Sequence, residues 1–286
     1  MEYDKSQFEI DGTVLKSYRG AGPIACIPQG VTAIAYNAFQ GCHGVEKVEI
    51  PDSVVKIGFG AFKGCDGLTE VVIPQGVTAL GDEAFRFCTS LKKAELPAGL
   101  VSLGRWAFSG CESLEEIALP DGVSAIGFSA FSGCKALKGI TVPERIVKLE
   151  DEVFSGCVSL TEARLPDGLV SIGGWAFRDC AMLEDITLPQ SLAAIGDGAF
   201  KNAGLKSLDL PSAVGKLGDW AFADCAALEE VYIPKSVTAI GMSAFSGTRA
   251  TINSEWKKPL FGLPKKWSKD MLGSSAGGKI VWGVKR

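Results

Sequence analysis

The sequence predicts a β-rich solenoid, a curved right-handed coil of 23-residue repeats whose short strands are joined by tight or 3-10 turns. Three observations predict it. Pro28, Pro51, Pro74, Pro97, Pro120, Pro143, Pro166 and Pro189 follow one another in steps of 23, with Pro211 after 22 and Pro234 after a further 23. Ten phenylalanines keep the same beat: Phe39, Phe62, Phe85, Phe108, Phe131, Phe154, Phe177, Phe200, Phe222 and Phe245. Before each proline stands an alternating apolar segment such as Val71-Val72-Ile73, the pattern of a half-buried strand.

The elements follow in chain order. Residues 1–22 are expected to form an N-terminal hairpin cap, because Phe8-Glu9-Ile10-Asp11-Gly12-Thr13-Val14-Leu15 alternates around Asp-Gly, which favours a type I′ turn. Such a cover hides the apolar end and unpaired strand groups of the first coil. Residues 23–248 hold about ten repeats, a period and a Leu/Ile/Val recurrence that mark leucine-rich repeats. Within one repeat, Leu68, Val71 and Ile73 form the strand, and Pro74 ends it because proline lacks the ladder N–H. Val77, Leu80 and Gly81 form a second short extended piece with a turn at the glycine, and Ala84, Phe85 and Cys88 close the unit in a tight turn. One repeat cannot cover its own apolar face, so the repeats must stack, and the phenylalanines should form an internal column.

The pattern lapses at Glu150, which stands in a glycine position, at Val153 in an alanine position, and after Phe200, where one residue and the cysteine are missing. Residues 249–286 leave the pattern and are expected to form a C-terminal cap. From Ala250 onward they hold eight Lys or Arg against two acids, and three of the six tryptophans. This basic, aromatic segment is either a patch for an acidic surface or an end cover whose rings pack on the last coil.

The consensus I-P-x-x-V-x-x-I-G-x-x-A-F-x-x-C-x-x-L-x-x-V-x-I-P, from Pro28 to Thr248, resembles the BspA-like (Treponema pallidum-type) leucine-rich-repeat family. Trp256, Trp267 and Val281-Trp282-Gly283 are similar to that family's usual terminus. The resemblance implies a curved solenoid without catalysis. Because members include bacterial surface proteins linked to adhesion and to matrix or host-protein binding, it also implies a protein partner.

Whole-chain properties narrow the function. A net charge of −4 and a pI near 5.3 provide no overall attraction for nucleic acid. No apolar run is long enough to insert in a bilayer. Met1 to Tyr18 lacks the apolar stretch of a secretory signal, so the cytoplasm is the default location, with the cell surface open if a leader was trimmed. A monomer without cofactor is expected.

The candidate sites divide into recurrent and variable residues. Cys42, Cys65, Cys88, Cys111, Cys134, Cys157, Cys180 and Cys225 each sit three residues after a repeat phenylalanine. A column of thiols is not four ligands converging on one point, so it reads as reduced core thiol rather than zinc site. Cys26 differs, lying on the outward side of its strand as a candidate reactive thiol. His43 is the only histidine, which removes multi-His metal sites and leaves little for Ser–His or Cys–His catalysis. Gly58, Gly81, Gly104, Gly127, Gly173, Gly196, Gly218 and Gly241 form no phosphate loop and are expected where the coil turns.

Any function then falls to residues that vary between copies. The outward strand positions, five, four and two before each proline, include Glu46, Lys47, Glu70, Lys93, Glu95, Glu115, Glu116, Glu162, Arg164, Glu184, Asp185, Glu229, Glu230 and Tyr232. Over ten repeats these positions hold 12 acids and 6 bases. Such a face suits a protein with basic patches and repels nucleic acid; it also matches the ordinary solvated sheet of a purely structural spacer. A second candidate is an aromatic row two or three residues before the repeat phenylalanines: Tyr36, Phe59, Trp106, Phe128, Trp175 and Trp220. Exposed, it would stack on a glycan or anchor a protein; buried, it would pack neighbouring coils.

Overall fold

The computed structural model describes residues 5–257, 270–272 and 279–284. The chain divides into two compact units, Met1–Arg145 and Ile146–Arg286, taken here in turn.

The first unit opens with β1 (Phe8–Asp11) and β2 (Val14–Tyr18), an antiparallel hairpin in which Asp11 pairs with Val14. The turn differs from the expected type I′. Gly12 has φ 60° and Thr13 is not left-handed, so only the first central position is positive, as in type II′. β2 then starts a parallel ladder of two-residue strands, Ala33–Ile34, Lys56–Ile57, Ala79–Leu80, Ser102–Leu103 and Ala125–Ile126. A second ladder joins the three-residue strands Ile24–Cys26, Lys47–Glu49, Glu70–Val72 and Lys93–Glu95. Each central strand residue points inward and its neighbours outward, as the period of two requires.

The third side of each coil is a run of turns that also bonds coil to coil. The amide of Phe39 donates to the Ala61 carbonyl at 2.7 Å, Phe62 to Ala84 at 2.8 Å and Phe85 to Ala107 at 2.8 Å. Thus a backbone that is mostly turn still satisfies its polar groups when buried. Two residues per coil take the left-handed conformation there, two before and two after the phenylalanine. Asn37, Glu83 and Trp106 (φ 54°, 58° and 55°) occupy the first position, and Gly41, Gly64 and Phe87 (φ 71°, 70° and 62°) the second.

The second unit repeats this plan. Its short-strand ladder runs Lys148–Leu149, Ser171–Ile172, Ala194–Ile195, Lys216–Leu217 and Ala239–Ile240. Its long-strand ladder joins Ser207–Asp209, Glu230–Ile233, Thr251–Ser254 and Lys279–Trp282. The coil therefore continues past Arg249. On the turn side Phe245 donates to the Met271 carbonyl at 2.8 Å, and Met271 is buried. Trp256 Nε1 donates to the Val237 carbonyl at 3.2 Å, so this ring does pack on the last regular coil. Trp267 and most of the basic tail (Lys258, Lys265, Lys266, Lys269, Lys285 and Arg286) lie outside the described residues. The one-residue deletion falls in the turn before Gly204, whose absent Cβ would fall 2.2 Å from the Ala181 carbonyl oxygen, as that of Gly67 would fall 2.5 Å from the His43 carbonyl oxygen.

Phenylalanine stacks fill both interiors. Tyr18, Phe39, Phe62, Phe85, Phe108 and Phe131 stack at centroid spacings from 4.8 to 5.7 Å in the first unit. Phe154, Phe177, Phe200, Phe222 and Phe245 stack at 5.3 to 5.4 Å in the second. All ten repeat phenylalanines are fully buried.

The recurrent glycines four residues before each phenylalanine need a corrected explanation. None of them has positive φ. They are required because the next-lower coil lies against them: a Cβ on Gly104 would sit 2.5 Å from the Asp82 amide nitrogen, and one on Gly241 2.4 Å from that of Asp219. Because the obstacle is backbone, it cannot rotate away. Gly104→Ala is expected to cost about 1–3 kcal/mol by overpacking. Gly168→Ala, with nothing within 4 Å of its Cβ, should stay within about 0.5 kcal/mol. Equal urea midpoints for the two variants would contradict the close-approach account.

Candidate interaction surfaces

The long-strand face carries the outward residues in the expected register. In the first unit it holds six acids (Glu46, Glu49, Glu70, Glu95, Glu115 and Glu116) against Lys47, Lys92, Lys93 and Lys138. In the second it holds six (Glu162, Glu184, Asp185, Asp209, Glu229 and Glu230) against Arg164 and Lys206. Most of the cations are taken up within the face. Lys93 meets Glu95 at 2.7 Å, Lys138 meets Glu115 at 2.7 Å, Arg164 meets Glu162 at 2.6 Å and Lys206 meets Glu184 at 2.5 Å, while Lys47 lies 3.4 Å from Glu49. The Lys138 ammonium beside Glu115 holds that carboxyl below its ordinary range. All these pairs are exposed, so each contributes little stability. Pairing leaves the surplus charge unchanged. Among the described residues, Glu46, Glu70, Glu116, Asp185 and Glu229 have no ion pair.

Tyr232 needs correction as a member of this face. It is only 8% exposed, and its hydroxyl donates to Glu255 at 2.6 Å. The C-terminal strand Thr251–Ser254 continues the ladder over it, a coverage invisible in the repeat pattern.

Among the described residues the long-strand ladder lapses at two places with a groove at each, while a third groove, beside Ser207, Asp209, Glu230 and Tyr232, lies on the unbroken ladder. In the first unit only a single bridge, Lys93 to Glu116, reaches residues 116–118. An open groove of about 520 Å³ lies there, lined by Lys92, Lys93, Glu115, Glu116, Lys138 and Gly139. In the second, residues 184–187 form no strand, and a groove of about 490 Å³ opens between Thr161–Asp167 and Asp185–Pro189. Each lapse coincides with two adjacent acids, Glu115-Glu116 and Glu184-Asp185.

The aromatic row resolves into two columns on the turn side. Tyr36 and Phe59, three before their phenylalanines, stack at 5.1 Å, and Tyr36 is 67% exposed. Phe128 belongs to the same column. Where that column holds aspartate instead, the carboxylate bridges coils: Asp82 accepts from the Arg105 amide at 2.8 Å, Asp151 from Gly174 at 2.7 Å and Asp219 from Met242 at 2.7 Å. The aspartate interruptions of this column are therefore structural bonds. Trp106, Trp175 and Trp220 occupy the other column, at the first left-handed position. Trp175 lies over the next coil, where a Cβ on Gly198 would fall 2.3 Å from its ring. Arg86 and Arg105 lie over Trp106 at 5.3 and 5.5 Å, and Arg178 over Trp175 at 5.3 Å. Phe87, 45% exposed, joins Arg86 at 4.7 Å. Phe87 stands two residues after a repeat phenylalanine, outside the row the sequence singled out; the only hint was a bulky residue where six other coils carry glycine.

The thiols have a definite structural task. Cys65, Cys88 and Cys111 each donate to the phenylalanine carbonyl of the coil before, all at 3.1 Å. Burial pushes Cys65 and Cys225 up to about 12 from an ordinary 9.0. Cys26 is partly exposed, yet burial and the Glu49 carboxylate, 3.2 Å away, raise its pKa too, so its surroundings disfavour the thiolate a reactive cysteine needs. His43 Nδ1 lies 2.9 Å from Asp66 at the surface. Among the described residues no three His, Cys, Asp or Glu gather to hold a metal ion, and no helix is long and apolar enough to cross a membrane.

Comparison with known proteins agrees with this architecture. The family model for the BspA type leucine rich repeat region matches residues 32–161 and 147–255. A leucine-rich repeat protein from Bacteroides ovatus is 30% identical over 98% of this chain and 76% of its own, with a TM-score of 0.80. The Treponema pallidum leucine rich repeat protein is 32% identical over 65% of this chain and 92% of its own, with a TM-score of 0.59. A leucine rich cell surface protein from Faecalibacterium prausnitzii is 25% identical, covers 89% of this chain and 94% of its own, and has a TM-score of 0.51. No curated protein matches the chain. Period, core columns and family match coincide, and the chain belongs to the BspA-type leucine-rich-repeat family.

Proposed function

We propose that the chain is a non-catalytic scaffold that binds a protein partner, in the manner of an adhesion module, through its long-strand face. The observation that carries this reading is the acidic surplus: six acids against two bases on the strand face of the second unit, with Asp185 and Glu229 unpaired. A sheet kept merely soluble needs no consistent sign, whereas a partner with basic patches is attracted and oriented by one. The grooves on this face add concave ground for side chains of the partner. The cell-surface description of the F. prausnitzii relative supports a setting in which host or matrix proteins are the partners. A glycan reading needs open ring faces; arginines lie over those of Trp106 and Trp175, which leaves it chiefly the exposed Tyr36–Phe59 pair.

The test uses charge reversal at Glu70, Glu116, Asp185 and Glu229, exposed positions that leave the core intact. Capture of matrix proteins, identified by mass spectrometry, is expected to fall about tenfold or more in the quadruple Lys variant and to weaken as ionic strength rises. Undiminished capture by the variant would sink the strand-face reading.

A further inference from the structure

We propose that the turn side of the first unit carries a second docking surface, suited to an acidic protein segment that presents carboxylates beside apolar side chains. It is independent of the strand face. Five side chains from three successive coils stack there in alternation. The Arg86 guanidinium lies 4.7 Å from the Phe87 ring and 5.3 Å from Trp106. The Arg105 guanidinium lies 5.5 Å from Trp106 and 5.7 Å from Phe128, and Trp106 meets Phe128 edge-on at 5.2 Å.

The stack is displayed at a conformational cost. Phe87 and Trp106 hold φ 62° and 55°, the left-handed region that bulky side chains avoid. Six other coils place glycine at the Phe87 position. The next coil makes room for the ring, since a Cβ on Gly110 would fall 2.5 Å from Phe87 Cδ1. Packing alone does not account for this, because Phe87 stays 45% exposed.

Charge selects the occupant. The nearby acid Glu83 is buried and already held by Lys63 at 2.5 Å and Arg86 at 3.3 Å. Asp82 accepts from the Arg105 amide and keeps its charge, so Lys63, Arg86 and Arg105 outnumber Asp82 and Glu83 and leave a positive surplus. The Arg105 side chain is exposed and has no ion pair among the described residues. Rings beside it limit its rotamers while its N–H edge stays free, an arrangement pre-organised for a carboxylate. Arginine and aromatic anchors together are the chemistry of protein hot spots.

The test is binding of a random glutamate–tyrosine copolymer to the full chain at low ionic strength, beside polyglutamate and heparin. Phe87→Gly restores the residue most coils use, so it removes the ring while relieving the strain. Phe87→Gly with Arg105→Ala is expected to weaken copolymer binding about thirtyfold or more, the loss of at least one hot-spot anchor, with the thermal midpoint held or raised. Arg105→Lys should lose part of the affinity, and Lys216→Ala, on the short-strand side of the other unit, none. No copolymer binding, or equal binding by the double variant, would overturn the proposal. So would tighter binding of heparin lost in the same variants, which would make the surface an anionic-glycan site.

Discussion

Phe108→Ala is expected to destabilise the first unit by about 3–5 kcal/mol, the range for deleting a buried phenyl ring. Phe108 has no exposed surface and lies between Phe85 at 5.3 Å and Phe131 at 5.7 Å, with interplanar angles of 8° and 1°. The vacated space cannot easily collapse. Coil spacing is set by backbone bonds on three sides, including the Phe108 amide to the Ala130 carbonyl at 2.8 Å, so the neighbouring rings cannot slide together. A residual cavity raises the cost above the transfer free energy alone. Because stacked repeats are held by nearest-neighbour interfaces, the lesion should also weaken cooperativity across the array. Urea unfolding followed by circular dichroism should show a lower midpoint and a shallower or split transition. A loss below about 1 kcal/mol, no larger than an average substitution, would show that the column is not the central packing element.

Alkaline pH is expected to produce a loss of similar size through the thiols. Cys65 is buried, its pKa raised to about 12 from an ordinary 9.0, and burial is the first cause. Cys88, Cys111 and Cys180 are raised well above 9.0 for the same reason. Folded chains keep these thiols neutral, whereas the unfolded chain ionises near 9. The stabilisation is thus fully present below pH 9 and is lost progressively as pH rises toward 12. A shift of three pKa units corresponds to about 4 kcal/mol for Cys65 alone at the top of that window. Under reducing conditions the urea midpoint should fall steeply above pH 9, and Cys65→Ala should make the fall shallower. Parallel pH profiles for the two proteins would rule out the thiols as the cause. In the native state at pH 8, a thiol reagent should reach only Cys26 and Cys42, the two partly exposed cysteines.

The recurring apolar residues are legible as core because each must fill the same volume in every coil. Phenylalanine, cysteine and the strand residues announce themselves by repetition, and their burial follows. Repetition does not say why a residue recurs. The glycine before each Ala-Phe looked like a turn residue and is a contact residue, because its neighbour in space is 23 positions away in sequence. The aspartates that interrupt the aromatic row looked like gaps and are bridges between coils, for the same reason. Tyr232 looked exposed until a strand from the irregular C-terminal segment was laid beside it. Phe87 drew no notice because its position outside the row hid the arginine stack it completes.

The sequence by itself determined the solenoid, the register of inward and outward residues, the phenylalanine column and the acidic sign of the strand face, since each depends only on periodicity and composition. Tertiary structure alone decided that Lys138 reaches Glu115 and Lys206 reaches Glu184, where the strand ladder lapses, and that Arg86 lies over Trp106. Those outcomes depend on contacts between side chains one coil apart, whose distances arise only once the coils have stacked.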